Sequence, residues 1–198
     1  EHNAEGYAGN CELGAVVGKV NDYITQCNMN GFKEIAPAAI TDNFIKLIGS
    51  DWMLITAGDH VECNTMTASW GGVGYMWNRP IAIAVIRPQR HTFEFTEREQ
   101  MLTLSFFKEE YRDALKYCGS HSGRDEDKIH NAGLSVAFTD DDVPAIAQAT
   151  LVLECKKLYC DMLKEECFLD KSIIDKWYPA KDYHKAYVLE ITHAYIKE

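Results

Sequence analysis

The chain has 198 residues, 46% hydrophobic and 25% charged, so it can bury one sizeable core without disulfide staples. Lys plus Arg number 20 against 30 Asp plus Glu, a formal charge of −10, which argues against nucleic acid or an anionic membrane surface as partner. The longest apolar run, residues 81–86, is far short of the roughly 18 residues that cross a bilayer.

Residues 1–34, rich in Gly, Asn and Cys, read as an N-terminal extension with one short helix expected over 16–27; the main domain is expected over 35–198. No signal peptide is visible at Glu1-His2-Asn3-Ala4-Glu5. The odd count of 7 cysteines, without a Cys-x-x-Cys pair, reads as reduced thiols in a cytoplasmic protein. The alternative is an exported form, its leader removed before residue 1, with a disulfide such as Cys11–Cys27.

Six strands are expected, over 52–57, 65–70, 81–86, 101–106, 149–158 and 185–193. Gly71-Gly72 is expected to end the second, and Pro80 to open the third. Short helices are expected from a Thr92 cap through Arg98, over 109–117 with Gly119 as its stop, and over 125–131. The spacers are too short for repeated βαβ units, so the pattern predicts a mainly β protein, an antiparallel barrel or sandwich with a few peripheral helices.

Familiar motifs fail on their spacing. Gly14-Ala15-Val16-Val17-Gly18-Lys19 has one residue too few for a phosphate loop, and Val20 follows the Lys where Ser or Thr is needed. Gly72-Val73-Gly74 lacks the third glycine of a dinucleotide fingerprint, and no nucleophile elbow occurs. His60, His91, His121, His130, His184 and His193 are scattered, with no pair at ligand spacing on one helix, so no metal is expected.

Three polar clusters remain. Thr65, Thr67 and Ser69 alternate on a strand and share a face, and the small Ala68 and Gly71 would let a flat ring approach the backbone. Arg87-Pro88-Gln89-Arg90-His91-Thr92 leaves an apolar strand for a helix start, with two guanidinium groups and free N–H groups suited to a phosphate monoester. Gly119-Ser120-His121-Ser122-Gly123-Arg124-Asp125 is a Gly- and Ser-rich loop before a further helix. Two readings stay open: one anionic aromatic ligand shared by all three, or three solvated loops with Arg87 or Arg90 paired to Glu94 or Glu97.

These runs, with Trp77-Asn78-Arg79-Pro80, Leu104-Ser105-Phe106-Phe107 and the segment from Tyr117 to Lys128, resemble the flavin reductase-like, FMN-binding split-barrel family, most closely its flavoredoxin type. The resemblance covers about residues 35–198. It implies a six-stranded Greek-key split barrel acting as a homodimer, with FMN in a groove near the subunit contact. By position, Met66, Thr67, Ala68, Ser69 and Trp70 would flank the isoalloxazine; Arg87, Gln89, Arg90 and Thr92 would hold the phosphate; Cys118, Gly119, Ser120, Ser122, Arg124 and Lys128 would close the site. Cys118 is read as small rather than redox-active. Reductases of this family carry Gly-Asp-His before the last strand, whereas this chain has Asp182-Tyr183-His184, and its 118–128 loop matches the flavoredoxin branch. The implied function is transfer of electrons from NAD(P)H or a protein donor, through bound flavin, to a flavin or other acceptor. The alternatives are a non-catalytic electron carrier and a flavin-free binding module on the same barrel.

Overall fold

A computed structural model of the protein describes residues 29–198; the helix expected over 16–27 and the pair Cys11 and Cys27 lie outside the described residues. The chain runs β1 (Phe32–Ile35), α1 (Phe44–Lys46) continued by a π-helical turn Leu47–Asp51, β2 (Met53–Gly58), β3 (Cys63–Ala68), β4 (Gly71–Met76) and β5 (Arg79–Ile86). Then come α2 (His91–Arg98), β6 (Met101–Phe106), α3 (Arg112–Ser120), α4 (Lys128–Asn131), β7 (Val136–Phe138), β8 (Pro144–Ile146), β9 (Leu151–Met162), α5 (Ser172–Trp177) and β10 (Lys185–Lys197).

One sheet has the order β3-β2-β6-β9-β10-β5-β4, with β1 added on β10. Its pairings are antiparallel. The two ends of this order, β3 and β4, are neighbours in the chain, joined by Ser69 and Trp70 alone. Three Cα steps span at most about 11 Å. Laid flat, the same strands would be separated by roughly 29 Å, six spacings of about 4.8 Å. The sheet must therefore curl until its edges meet at that corner. The edges are not paired with each other, so the barrel is split along this seam.

Period-two alternation fills the interior. Met53, Ile55 and Ala57, Leu102, Leu104 and Phe106, and Tyr187, Leu189 and Ile191 point into one buried cluster. The opposite face, through Leu54, Val152 and Tyr195, packs on Leu115, Cys118, Ile129, Leu134 and Ile146 of the helices and the β7–β8 hairpin. Thr56 and Thr65, buried on that face, pair at 2.9 Å, and Thr103 donates to the Pro144 carbonyl at 2.7 Å, whereas the buried Ser105 hydroxyl has no partner. Among the described residues no helix is long and apolar enough to cross a membrane.

All six expected strands are present, and the sheet also holds β1 and β4. Gly71-Gly72 does not end a strand; it begins β4. Gly71 has φ +149°, and a Cβ there would stand 2.4 Å from the Ile83 carbonyl oxygen, so this glycine allows two backbones to touch at the corner. Gly119 is not a helix stop, since α3 continues through Ser120; a Cβ added there would meet the Thr67 side chain at ordinary contact distance. Thr92 does not cap α2: Arg90 occupies that position without a side-chain bond, and the buried Thr92 hydroxyl accepts from Asn64 Nδ2 at 2.8 Å. Pro80 sits inside β5, paired with Tyr75 of the edge strand β4, where its missing N–H is tolerated.

Gly71→Ala is expected to destabilise the fold by about 1–3 kcal/mol through backbone strain, while Gly72→Ala, whose added Cβ meets nothing within 4 Å, is neutral or slightly stabilising. Urea unfolding of the two variants checks the contrast.

Candidate functional site

The seam that closes the barrel also shapes a crevice of about 200 Å³. Its wall is built from Met66, Thr67, Ala68, Ser69 and Trp70 at the β3–β4 corner, Val85, Arg87 and Arg90 at the end of β5, and Trp177 and His184 between β9 and β10. The hydroxyl strand and the two arginines are therefore in one cavity. Thr65 is not part of it: the residue is fully buried and its hydroxyl is engaged by Thr56 and the Ile55 carbonyl. The Thr67 hydroxyl donates to the Leu115 carbonyl, which ties the corner to α3.

The two arginines differ. Arg87 donates through Nη1 to Asp182 and through Nη2 to the Trp177 carbonyl at 2.8 Å, with its guanidinium 5.4 Å from the Tyr178 ring centre. Gln89 Nε2 adds a bond to the same Asp182 carboxylate at 2.6 Å. Gln89 and Arg87 together hold that carboxyl below its ordinary range. Arg87 and Gln89 thus pin the 177–184 segment to the barrel, and the pairing of Arg87 is with Asp182 rather than Glu94 or Glu97. Arg90 is the converse: its Nη2 is buried with no hydrogen-bond partner. An unpartnered buried guanidinium nitrogen is costly, and an anion in the crevice would satisfy it.

The 118–128 group is not among the residues of this wall. The Lys128 side chain, buried close enough to feel the Arg90 charge, donates to the Cys118 and His121 carbonyls, both at 3.2 Å, at the end of α3. Burial and the nearby Arg90 pull its pKa down to about 8. Cys118 is fully buried, and desolvation pushes its thiol up, so it is a packing residue in the resting protein. Ser120 and Gly119 belong to the last turn of α3, with Ser120 Oγ turned to the Lys116 carbonyl. The Ser122 Oγ accepts from the Arg124 backbone N–H; the Arg124 side chain pairs with Glu94 and reaches the Gln89 carbonyl at 3.3 Å. Gln89, Thr92, Cys118, Gly119, Ser120, Ser122, Arg124 and Lys128 therefore do not line the crevice in a single chain.

Trp177 is the wall residue that the sequence left unmarked. It meets Trp70 edge to face at 5.1 Å, and His184 lies 5.0 Å from Trp70. The Tyr178 hydroxyl and His184 Nδ1 are 2.8 Å apart. Burial, and then the Arg87 charge, hold His184 down to about pKa 4, so it is neutral in ordinary buffer.

The sequence matches the flavin reductase like domain over residues 46–198. The chain belongs to the flavin reductase-like family. No protein of curated function matches it by sequence. Solved structures similar to it include an FMN-binding domain of a flavin reductases-like enzyme from Shewanella baltica OS155, 19% identical with a TM-score of 0.60, covering 84% of this chain and 77% of that one. Flavoredoxin from Methanosarcina acetivorans is 22% identical with a TM-score of 0.58, covering 75% and 69%. Flavoredoxin of Desulfovibrio vulgaris (Miyazaki F) is 18% identical with a TM-score of 0.59, covering 84% and 78%. At these identities the likeness is one of fold, the split barrel.

For this flavin reductase-like protein the neutral His184 has a pH signature. Unfolded histidine binds its proton near pH 6.5, whereas the folded one resists protonation until about pH 4. Stability is therefore complete above about 6.5 and falls as pH drops towards 4. Denaturant midpoints measured across that window are expected to decline less steeply in His184→Gln; an unchanged slope contradicts the assignment.

Proposed function

We propose that the crevice binds FMN and that the protein is an oxidoreductase, passing electrons from NAD(P)H or a protein donor through the flavin to a flavin or other acceptor. The observation that carries this reading is the buried, unpartnered Nη2 of Arg90 in the same cavity as Thr67, Ser69 and Trp70. A phosphate monoester supplies the charge-assisted acceptors which that nitrogen lacks. The donor set suits the rest of the cofactor too, with aromatic faces from Trp70 and Trp177 and polar groups at the corner. FMN, when bound, supplies the redox chemistry of one- and two-electron transfer.

The chain's own residues bind and orient. Arg90 anchors the phosphate. Arg87, already held by Asp182, adds positive potential and keeps Trp177 and His184 in the wall. Polar groups around Thr67–Ser69 would face the polar edge of the ring and favour the anionic reduced form. His184, neutral and held by Tyr178, offers a hydrogen bond without adding charge.

A homodimer belongs to the same proposal. About 200 Å³ is small against the roughly 300–1,000 Å³ of closed small-molecule pockets, as befits one wall completed by a second copy of the chain. Tyr75, Met76 and Trp77, at the tip of the β4–β5 hairpin, and Ile83 of β5, opposite Gly72 beside the crevice corner, leave large apolar surface exposed. The competing reading, an electron carrier without nicotinamide turnover, draws on Asp182, whose carboxylate is spent on Arg87 and Gln89 in the segment before the last strand.

Purified protein is expected to be yellow, and NADH or NADPH under anaerobic conditions to bleach it; bleaching only by dithionite or a low-potential protein donor supports the carrier, and a colourless protein that takes up no FMN rejects the proposal. Arg90→Ala is expected to weaken FMN binding roughly 10- to 100-fold, the loss of one or two charge-assisted bonds. Fluorescence titration reads that shift, and unchanged affinity removes Arg90 from the phosphate site.

A further inference from the structure

A second cluster lies at the other end of β10 from His184. Glu154 of β9 is Cα-paired with His193 of β10, next to a register shift between Ile191 and His193. The extra residue, Thr192, donates its hydroxyl to Glu154 Oε1 at 2.8 Å. The Glu154 side chain is fully buried, and its other oxygen, Oε2, has no hydrogen-bond partner. Asp141, on the turn between β7 and β8, brings Oδ2 to 3.6 Å from His193 Nε2. Glu34 of β1 accepts from His193 Nδ1 at 2.6 Å.

We propose that Asp141, Glu154 and His193 form a binding site for a divalent transition-metal ion, with Glu34 as the residue that orients the histidine.

Geometry, charge and ligand chemistry point the same way. One donor atom from each of the three residues lies within 4.8 Å of the others. Two ligands each about 2.1 Å from a tetrahedral ion stand roughly 3.4 Å apart, close to the His193–Asp141 separation. Three carboxylates face one imidazole, so even a protonated His193 offsets a third of their charge. Among the described residues no Lys or Arg pairs with Glu34, Asp141 or Glu154. A buried carboxylate oxygen without donor or counter-ion is costly, and a divalent cation supplies what it lacks. Glu34, bonded to the far nitrogen, fixes the tautomer that turns Nε2 towards a metal. An imidazole with two carboxylates suits Zn²⁺ or Mn²⁺ better than the all-oxygen preference of Ca²⁺ or Mg²⁺. The ion would clasp the exposed turn at Asp141 to strands β9 and β10. No helix spacing announces such a site, because its donors come from a strand pair, a bulge and a hairpin turn.

The test is calorimetric titration of the full, chelator-treated chain with ZnCl₂ and with MnCl₂, paired with thermal melts. One ion per chain and a raised Tm are expected. Asp141→Asn, on an exposed turn, and His193→Gln are expected to abolish binding without unfolding the chain, and Glu34→Gln to weaken it roughly 10- to 100-fold. Glu154→Gln is expected to lose binding as well, and the surface variant Asp141→Asn keeps the test decisive should Glu154→Gln not fold. Three results overturn the proposal: no binding of either ion at millimolar concentration, affinity unchanged in Asp141→Asn and His193→Gln, or, in a parallel titration with CaCl₂, a preference for Ca²⁺ over both.

Discussion

The two-residue link at Ser69 and Trp70 is the constraint on which the rest depends. It joins the first and last strands of a long antiparallel sheet, so the sheet cannot lie flat. Curling brings the end of β5 and the start of β10 against the same corner, which is why residues as distant in sequence as Met66, Arg90, Trp177 and His184 share one cavity. The price is a tight corner, met by Gly71 against the Ile83 carbonyl. Fold closure and candidate site are one feature seen at two scales.

Electrostatics then sort the site within an acidic chain. Arg87 is matched: Asp182 and a backbone carbonyl absorb its donors, and its work is to hold the 177–184 segment. Arg90, half-buried, and Lys128, buried, have no ion-pair partner among the described residues: Lys128 donates to carbonyls, and Arg90 leaves its buried Nη2 idle. Two cations close enough to feel each other make a region of positive potential, where a phosphate gains more than at an exposed salt bridge.

Much of this was legible in the sequence. The six strands show as apolar or alternating runs because their inward residues, such as Met53, Ile55 and Ala57, obey the two-residue period. β4 escaped notice because Gly71, Gly72 and Gly74 carry no side chains to alternate, and β1 because four residues give too short a pattern. The convergence of Met66–Trp70 with Arg87 and Arg90 was readable from residue types and from family resemblance. The 118–128 loop was not: Lys128 and Cys118 look like ligand-facing polar groups in one dimension, but the hydrophobic cluster around Leu115 and Ile129 draws them inward. Trp177 gave no signal, since it is held in the crevice wall from a distant segment, by the Arg87 tie to its carbonyl and by packing on Trp70. The His193 cluster stayed hidden for a related reason, because strand register, not sequence spacing, sets its neighbours.

The most direct measurement of the central claim is the affinity of the wild-type protein for FMN against riboflavin, two ligands that differ only in the phosphate. If the unmatched guanidinium of Arg90 is the anchor, FMN binds at least roughly 10-fold tighter, the weight of one charge-assisted contact, and the advantage shrinks as salt is raised. Equal affinities, or a preference for riboflavin, would contradict the account.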